Sequence, residues 1–432
     1  MPKGRVSARE MLEACEYFES SQWRPRADLL DEQWLKLKSL LAWSYEHIPF
    51  HASRFRVAGV IPQKNSSLED FYRLPLMKRQ DLVDAEHNGL RVHSFPATSS
   101  HTTGTSGPSV TVWRDQSYDA KLTFPLWRRW LKAAGLQSHD RYLRLVTVPV
   151  GAARTLGRAL DISMMTSVST LIEEIESAKP NAIIMTPATL EYLSLELMER
   201  GRKAPESLKN IFTNGDNLTL SGRRLCKRAF GCVPIDHYAA RECSSGIAWQ
   251  CSEVQGYHVN VENVVVEILD SQGGPVAPGE VGRVVITDLS STPVPLIRYD
   301  IGDLASWQEE PCNCGRSLPC LASIDGRIVE RMKLKSGEWL TCHVLNMAFG
   351  QVPFPLQYQV REDQPYHVTI DVVLPPNVES SDVLQLLKLE LQKTVLSTIE
   401  WKLNPVDRIP GEIFGKRRLF LPHQSAQNQE AE

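Results

Sequence analysis

Three groups of residues in this 432-residue chain have the types and spacing to do chemistry. The first is a run of hydroxyls and glycines: Thr102, Thr103, Gly104, Thr105, Ser106 and Gly107, followed by Pro108. Its glycines let a loop turn its backbone N–H groups inward on one anion, and its hydroxyls add donors, a composition that suits a chain of phosphates. The same composition serves a solvated turn, and no Gly-Lys-Ser/Thr closes it as in a Walker loop. The second is Arg298-Tyr299-Asp300-Ile301-Gly302-Asp303, two carboxylates flanking a glycine at what reads as the end of a strand. One such carboxylate can accept both hydrogen bonds of a vicinal diol such as a ribose. The third is Cys251, His258, Cys312 and Cys314, with Cys320 in reserve. Three thiols and one imidazole are a ligand set of closed tetrahedral zinc sites, whose role would be structural. The spacing is not that of a zinc finger, and cysteines buried as small hydrophobes are the competing account.

The elements that must position these residues follow from periodicity. Leu30, Trp34, Leu37, Leu41 and Tyr45 have helical spacing within a helical lead-in over 8–56, broken at Ile48-Pro49. From 117 to 250 short apolar runs (Tyr142 to Val150, Asn181 to Pro187, Lys209 to Thr213, Cys232 to Asp236) alternate with helical patterns (Thr170 to Ala178, Ala188 to Arg200, Leu220 to Ala229). That alternation predicts a largely parallel α/β sheet with ligands at the strand C-terminal ends. Two polar clusters fall there, Thr213-Asn214-Gly215-Asp216 and His237-Tyr238-Ala239-Ala240-Arg241-Glu242, each readable as a helix cap or as a site. Residues 257–310 turn β-rich, with Val264 to Ile268 strand-like. After Arg327 a hairpin around Glu362 to Pro365 and a helix with Leu384, Leu387, Leu391 and Val395 on one face predict a small α+β domain. The tail from Gln424 is polar and reads as disordered.

Composition narrows the classes. Apolar residues at 42% and charged residues at 23% are those of a soluble globular protein of two or more domains. Lys+Arg 48 against Asp+Glu 51, a net charge of −3, offers no bulk field for nucleic acid or anionic lipid. No signal-peptide core or bilayer-length apolar run is present, so a cytoplasmic protein is expected. There, nine cysteines are better explained as thiols or metal ligands than as disulfides.

Taken in order from Tyr45 to Arg418, these pieces resemble the adenylate-forming enzymes of the acyl-CoA ligase superfamily, in the phenylacetate-CoA ligase-like branch, and within it the CapK-like proteins. The phrases Tyr45 to His51 and Leu74 to Leu82 carry no chemistry of their own but are similar to that branch's opening. The resemblance implies an α/β fold: a large N-terminal adenylate-forming domain, 1–327, and a small mobile α+β C-terminal domain, 328–432. It implies that Thr102 to Gly107 hold phosphates, that Asn214, Gly215 and Asp216 lie beside adenine, and that Tyr238, Ala239, Arg241 and Glu242 form the element whose Tyr stacks on adenine and whose Glu helps hold Mg²⁺. Asp303 then binds the ribose, Arg327 follows at the domain junction, and Lys416 after Gly415 is the mobile catalytic cation. The reaction implied is ATP-dependent activation of a carboxylic acid as an acyl-adenylate, then transfer to CoA, a carrier-protein thiol or an amine. Some relatives in the branch bind zinc with residues similar to the Cys/His set.

The chain departs from the pattern in places. No lysine follows the second glycine of the loop, Ala239 replaces a glycine, and Arg241 stands where many relatives have Thr or Ser. Val329, with Glu330 beside it, occupies the hinge position two residues after Arg327. Arg241 and Val329 favour a second reading, a degenerate nucleotide-binding homologue acting as an interaction protein. Glu242, Asp303 and Lys416 oppose it.

Overall fold

Three helices in the middle of the chain begin on a hydroxyl residue whose side chain accepts an early backbone N–H. They are Val168–Ala178 after Ser167, Pro187–Glu199 after Thr186, and Leu220–Phe230 after Thr219. Each cap satisfies one of the donors that a helix start leaves over. The cluster Thr213 to Asp216 is therefore not a cap: it ends a strand, and Thr219 does the capping. The computed structural model describes residues 6–62, 67–94, 97–101, 109–115, 117–146, 158–243, 246–290, 293–335, 339–354, 356–376, 380–394, 396, 399–409, 417–421 and 423. The chain forms two compact units, each assembled from separated segments: Met1–Ala134 with Tyr238–Ile324, and Gly135–His237 with Asp325–Glu432.

In the second unit Arg158–Ser163, Arg141–Val146, Ala182–Met185, Asn210–Asn214 and, as far as His237, Ile235–Tyr238 lie side by side in that order, all parallel. Ala182–Met185 is buried at every position, as expected of a parallel strand covered on both faces. Ile183 and Ile211 share a core with Leu171, Ile175, Leu190 and Leu193 from the helices. The apolar runs predicted these strands, except for Arg158–Ser163, whose Arg158 and Asp161 break any apolar run.

Past Arg327 a turn closed by the Glu330 N–H on the Arg327 carbonyl (3.0 Å) leads into the short hairpin Arg331–Lys333 with Trp339–Thr341. The predicted hairpin is Gln357–Gln364 with His367–Val373, flanked by Glu400–Pro405 and Phe420–Leu421. Helix Ser380–Gln392 buries Val383, Leu387 and Leu391, while Val395 lies outside the described residues. Residues from Met332 to Phe420 supply a whole apolar cluster by themselves.

In the first unit the lead-in is three helices, Ala8–Ser21, Arg26–His47 and Pro49–Val57. Leu37 and Leu41 are buried as their spacing predicts, but Leu30 faces out and Leu29 turns in. Val264–Leu269, Val281–Asp288, Tyr299–Trp307, Cys320–Arg327, Tyr257–Val259 and Ala248–Trp249 are neighbours in that order; the first three pair antiparallel in turn, as do the last three. Ile297 packs with Leu37, Phe55 and Phe71, fastening the helices to the strands. Among the described residues no helix is long and apolar enough to cross a membrane.

Candidate active site and candidate metal centre

The sequence places Asp303 at the end of a strand; the structure corrects this. Tyr299–Trp307 runs past it, and opposite this segment the register steps from Val285 against Asp300 to Arg283 against Leu304, so the strand bulges over 300–304. Gly302, at φ +81°, lies in the left-handed region, and its missing Cβ lets the strand kink and resume. Asp300 is committed to the bulge, accepting from Gly302 N (3.0 Å) and from Arg283 Nη1 (3.1 Å). Asp303 instead faces Tyr238, whose hydroxyl donates to Oδ2 at 2.7 Å. Tyr238 and Asp303, two of the residues that the resemblance assigns to the nucleotide, thus lie side by side.

Glu242 lies in the same unit, its side chain 10% exposed, and Oε1 accepts from Arg79 Nη1 at 3.0 Å. Arg241 is exposed, and its carbonyl accepts from Arg114 Nη2 at 2.6 Å, while Ala239 is half-buried on the same connection. Sequence reasoning missed Arg79. It belongs to the phrase Leu74 to Leu82, whose place the structure explains. Met77 N–H donates to the Arg298 carbonyl (2.8 Å) and Asp300 N–H to the Met77 carbonyl (2.9 Å), laying that phrase along the Asp303 strand.

Arg298 clamps this arrangement from inside. Buried and at φ +52°, it pairs with Glu267 at 2.8 Å and donates to the carbonyls of Leu74 (2.6 Å) and Tyr72. The earlier phrase, Tyr45 to His51, ends on the same segment. Buried His51 puts Nε2 2.9 Å from the Pro295 carbonyl and Nδ1 2.9 Å from Arg54 Nη1. A carbonyl only accepts and a guanidinium only donates, so Nε2 carries the proton and the ring is neutral. Burial, reinforced by Arg54, pushes the His51 imidazole down to about 3, consistent with that state.

In the second unit Asn214 ends the strand Asn210–Asn214, and Gly215, at φ +84°, makes the turn that follows. Asp216 accepts from Asn217 N (2.9 Å) and from Arg417 N (2.8 Å), so the chain just after Lys416 is fastened to the turn 214–216. Arg327 is half-buried at the end of the strand Cys320–Arg327, and the hinge-position residue Val329 is 46% exposed in the turn beyond. Burial first, and Asp216 second, raise the Glu330 carboxyl to about 7 against the pull of Arg327. Thr102, Thr103, Gly104, Thr105, Ser106, Gly107, Gly415 and Lys416 lie outside the described residues.

The metal candidates converge. One ligand atom from each of Cys251, His258, Cys312 and Cys314 lies within 4.8 Å of all the others. Cys251 Sγ and Cys312 Sγ are 3.7 Å apart, and Cys314 Sγ is 3.4 Å from His258 Nε2. A tetrahedral zinc with Zn–S of about 2.3 Å and Zn–N of about 2.0–2.1 Å has S···S edges of about 3.8 Å and S···N edges of about 3.6 Å. The two edges given match that polyhedron, and the donor set is the one zinc takes. Burial, helped by Arg316 and Arg129, brings the His258 imidazole down to about 4, which leaves it neutral and able to ligate at pH 7. Cys320, the reserve ligand, stands on the other side of the ring, 3.3 Å from Nδ1, and is not among the four that converge.

Comparison with known proteins identifies the family. The family model of AMP-binding enzymes matches residues 146–291. A phenylacetate-coenzyme A ligase of Thermus thermophilus is 30% identical over 324 residues, 70% of this chain and 71% of that one. Protein CapK of Staphylococcus aureus is 24% identical over 214 residues, 49% of this chain and 46% of CapK. Among solved structures, 2-hydroxyisobutyryl-CoA ligase in the postadenylation state, in complex with R3-HIB-AMP, has a TM-score of 0.78 at 21% identity, covering 94% of this chain and 93% of that one. Fold and relatives together define an adenylate-forming ligase, and the chain belongs to the phenylacetate-CoA ligase family within that class. Enzymes of this class activate a carboxylic acid as an acyl-adenylate and then pass the acyl group on.

Proposed function

We propose that this ligase uses ATP and Mg²⁺ to adenylate a carboxylic acid and hands the acyl group to CoA. The observation that carries the nucleotide site is the 2.7 Å bond from Tyr238 to Asp303 in the same unit as Glu242. Asp303 would take the ribose hydroxyls, with Tyr238 fixing one of its oxygens and presenting a ring to the base. Asn214, Gly215 and Asp216 would border the adenine, and Thr102 to Gly107 the phosphates. Glu242 offers a single carboxylate of the kind Mg²⁺ uses together with substrate phosphates. That ion would neutralise charge on the phosphate oxygens, and Arg79 is the cation already paired with the same carboxylate.

Adenylation piles charge onto oxygens, so a lysine delivered late is worth most in the transition state. Lys416 fits that role, and support comes from its neighbour Arg417, whose backbone N–H is held by Asp216. The domain boundary proposed is 1–327 and 328–432, with movement about the junction at Arg327. The self-contained apolar cluster between Met332 and Phe420 supports it. Zinc on Cys251, His258, Cys312 and Cys314 would be structural, because three thiolates and an imidazole leave no open position. Nine free cysteines suit a cytoplasmic enzyme.

Pyrophosphate release by the purified protein with ATP, Mg²⁺ and a carboxylate panel tests the adenylation step, and adding CoA, a carrier protein or an amine tests the acceptor. Nucleotide binding without pyrophosphate from any acid would overturn the reading and leave a non-catalytic homologue.

A further inference from the structure

His258 has two neighbours of the same chemistry on opposite sides of its ring, and a metal can use only one of them. The strand ladder sets this up. Tyr257–Val259 lies between Ala248–Trp249 and Cys320–Arg327, with His258 directly opposite Cys320 on one side and Trp249 on the other. Directly opposed residues of an antiparallel pair project to the same face with Cβ atoms about 5 Å apart. The backbone therefore fixes the Cys320 contact whatever the loop 312–314 does. The Trp249 indole, 5.0 Å away by ring centroids and tilted by 41°, walls the imidazole. His258 is fully buried.

In that setting Nε2 faces Cys314 Sγ at 3.4 Å, and Nδ1 faces Cys320 Sγ at 3.3 Å. Cys320 Sγ also lies 3.7 Å from the Leu318 carbonyl, a group that can only accept. The same carbonyl is a backbone partner of His258, and its two lone pairs let it take the Cys320 S–H while facing the ring, which leaves a sulfur lone pair for the imidazole. A neutral ring has one N–H and one lone pair, and the outer hydrogen bond selects which nitrogen meets the metal.

We propose that Cys320 is not a fourth thiolate but the positioning residue of the zinc site. It remains a thiol, accepts the Nδ1–H of His258 and passes its own S–H to Leu318, so the Nε2 lone pair is held toward Cys251, Cys312 and Cys314. This rests on the zinc reading above. It adds which nitrogen binds, and it assigns the fourth cysteine of the cluster a role that ligand counting by residue type gets wrong.

The test uses the full-length protein loaded with Zn²⁺, and separately with Co²⁺ as a spectroscopic probe. Long-range ¹⁵N–¹H correlation on ¹⁵N-histidine protein should show His258 protonated at Nδ1 and metallated at Nε2. This measurement needs no variant. Chelator competition should give Cys320→Ala a zinc affinity about 10–100-fold weaker, with one metal still bound and a thiolate-to-Co²⁺ band of unchanged intensity. Cys320→Ser, which keeps an acceptor and a donor, should recover most of that loss. Cys314→Ser should instead lose the metal or lower the band. Metal on Nδ1, a band that falls in Cys320→Ala, or an affinity that Cys320→Ala leaves untouched would each overturn the positioning role while zinc stays. A parent protein that binds neither metal would overturn the zinc reading itself.

Discussion

At the scale of single residues the proposed nucleotide site turns on Asp303. With Tyr238 on Oδ2, the carboxylate is oriented before a diol arrives, and Asp303→Ala removes a charged acceptor. A charge-assisted hydrogen bond is worth about 1.5–3 kcal/mol, so AMP or ATP affinity measured by calorimetry should fall roughly 10–100-fold. Lys416→Ala is expected to separate the two functions: acyl-AMP formation slower by about 10²–10³-fold, with nucleotide affinity near the parent value. Asp303 was legible as a candidate ribose acceptor because Asp-Ile-Gly-Asp presents two carboxylates around a glycine. Its position in a bulge was not, since nothing in the letters says that Gly302 takes a positive φ and lets the strand resume. The Cys/His set was legible by type although its members lie up to 63 positions apart (314 minus 251). The division of labour between Cys314 and Cys320 was not, because it depends on which side of one ring each sulfur occupies.

At the scale of elements the segment 295–303 does more positioning than its own motif suggests. The helices near the N-terminus reach it through His51 and Arg54, and the phrase 74–82 reaches it through Met77 and Arg298. The Arg298–Glu267 pair is the buried fastener: burial raises the Glu267 carboxyl, while Arg298 opposes that rise. Breaking such a pair from one side leaves an unpaired charge inside the protein, at a cost of about 3–5 kcal/mol. Glu267→Ala should therefore lower the melting temperature strongly. It should also weaken nucleotide binding without touching nucleotide, because Arg79 and the Asp303 strand lose their common support. The parallel strands and their helices were readable from alternating runs of four to eight apolar residues and longer helical patterns. Ala97–His101 escaped because its exposed and half-buried Ser, Thr and His have no apolar alternation, and Arg79 escaped because an ion pair across 163 positions leaves no local signal.

At the scale of the whole molecule two features have consequences for its stability and its making. Glu330 titrates near 7 in the folded protein, above its ordinary value of 4.5. The folded state therefore holds a proton that the unfolded state has already lost. The contribution of this group is fully present below about pH 4.5 and is lost as pH rises through 7. Because the side chain keeps some water contact, the loss is on the order of 2 kcal/mol. Urea denaturation at pH 5 and pH 8 should show Glu330→Gln with a shallower decline than the parent, and equal slopes would remove the assignment. The second feature is the interleaving of the two units along the chain, Met1–Ala134 with Tyr238–Ile324 and Gly135–His237 with Asp325–Glu432. A ribosome delivers residues in order at about 5–20 per second, and domains generally fold as they emerge. Here the first unit lacks the strands of its second segment until the chain beyond Tyr238 has been made, and Leu37, Phe55 and Phe71 wait for Ile297 through more than half of synthesis. The nascent lead-in thus lacks the cover that Ile297 supplies until that residue has been made. Co-expressed chaperones should therefore raise the yield of active molecules while leaving the melting temperature of the purified protein unchanged.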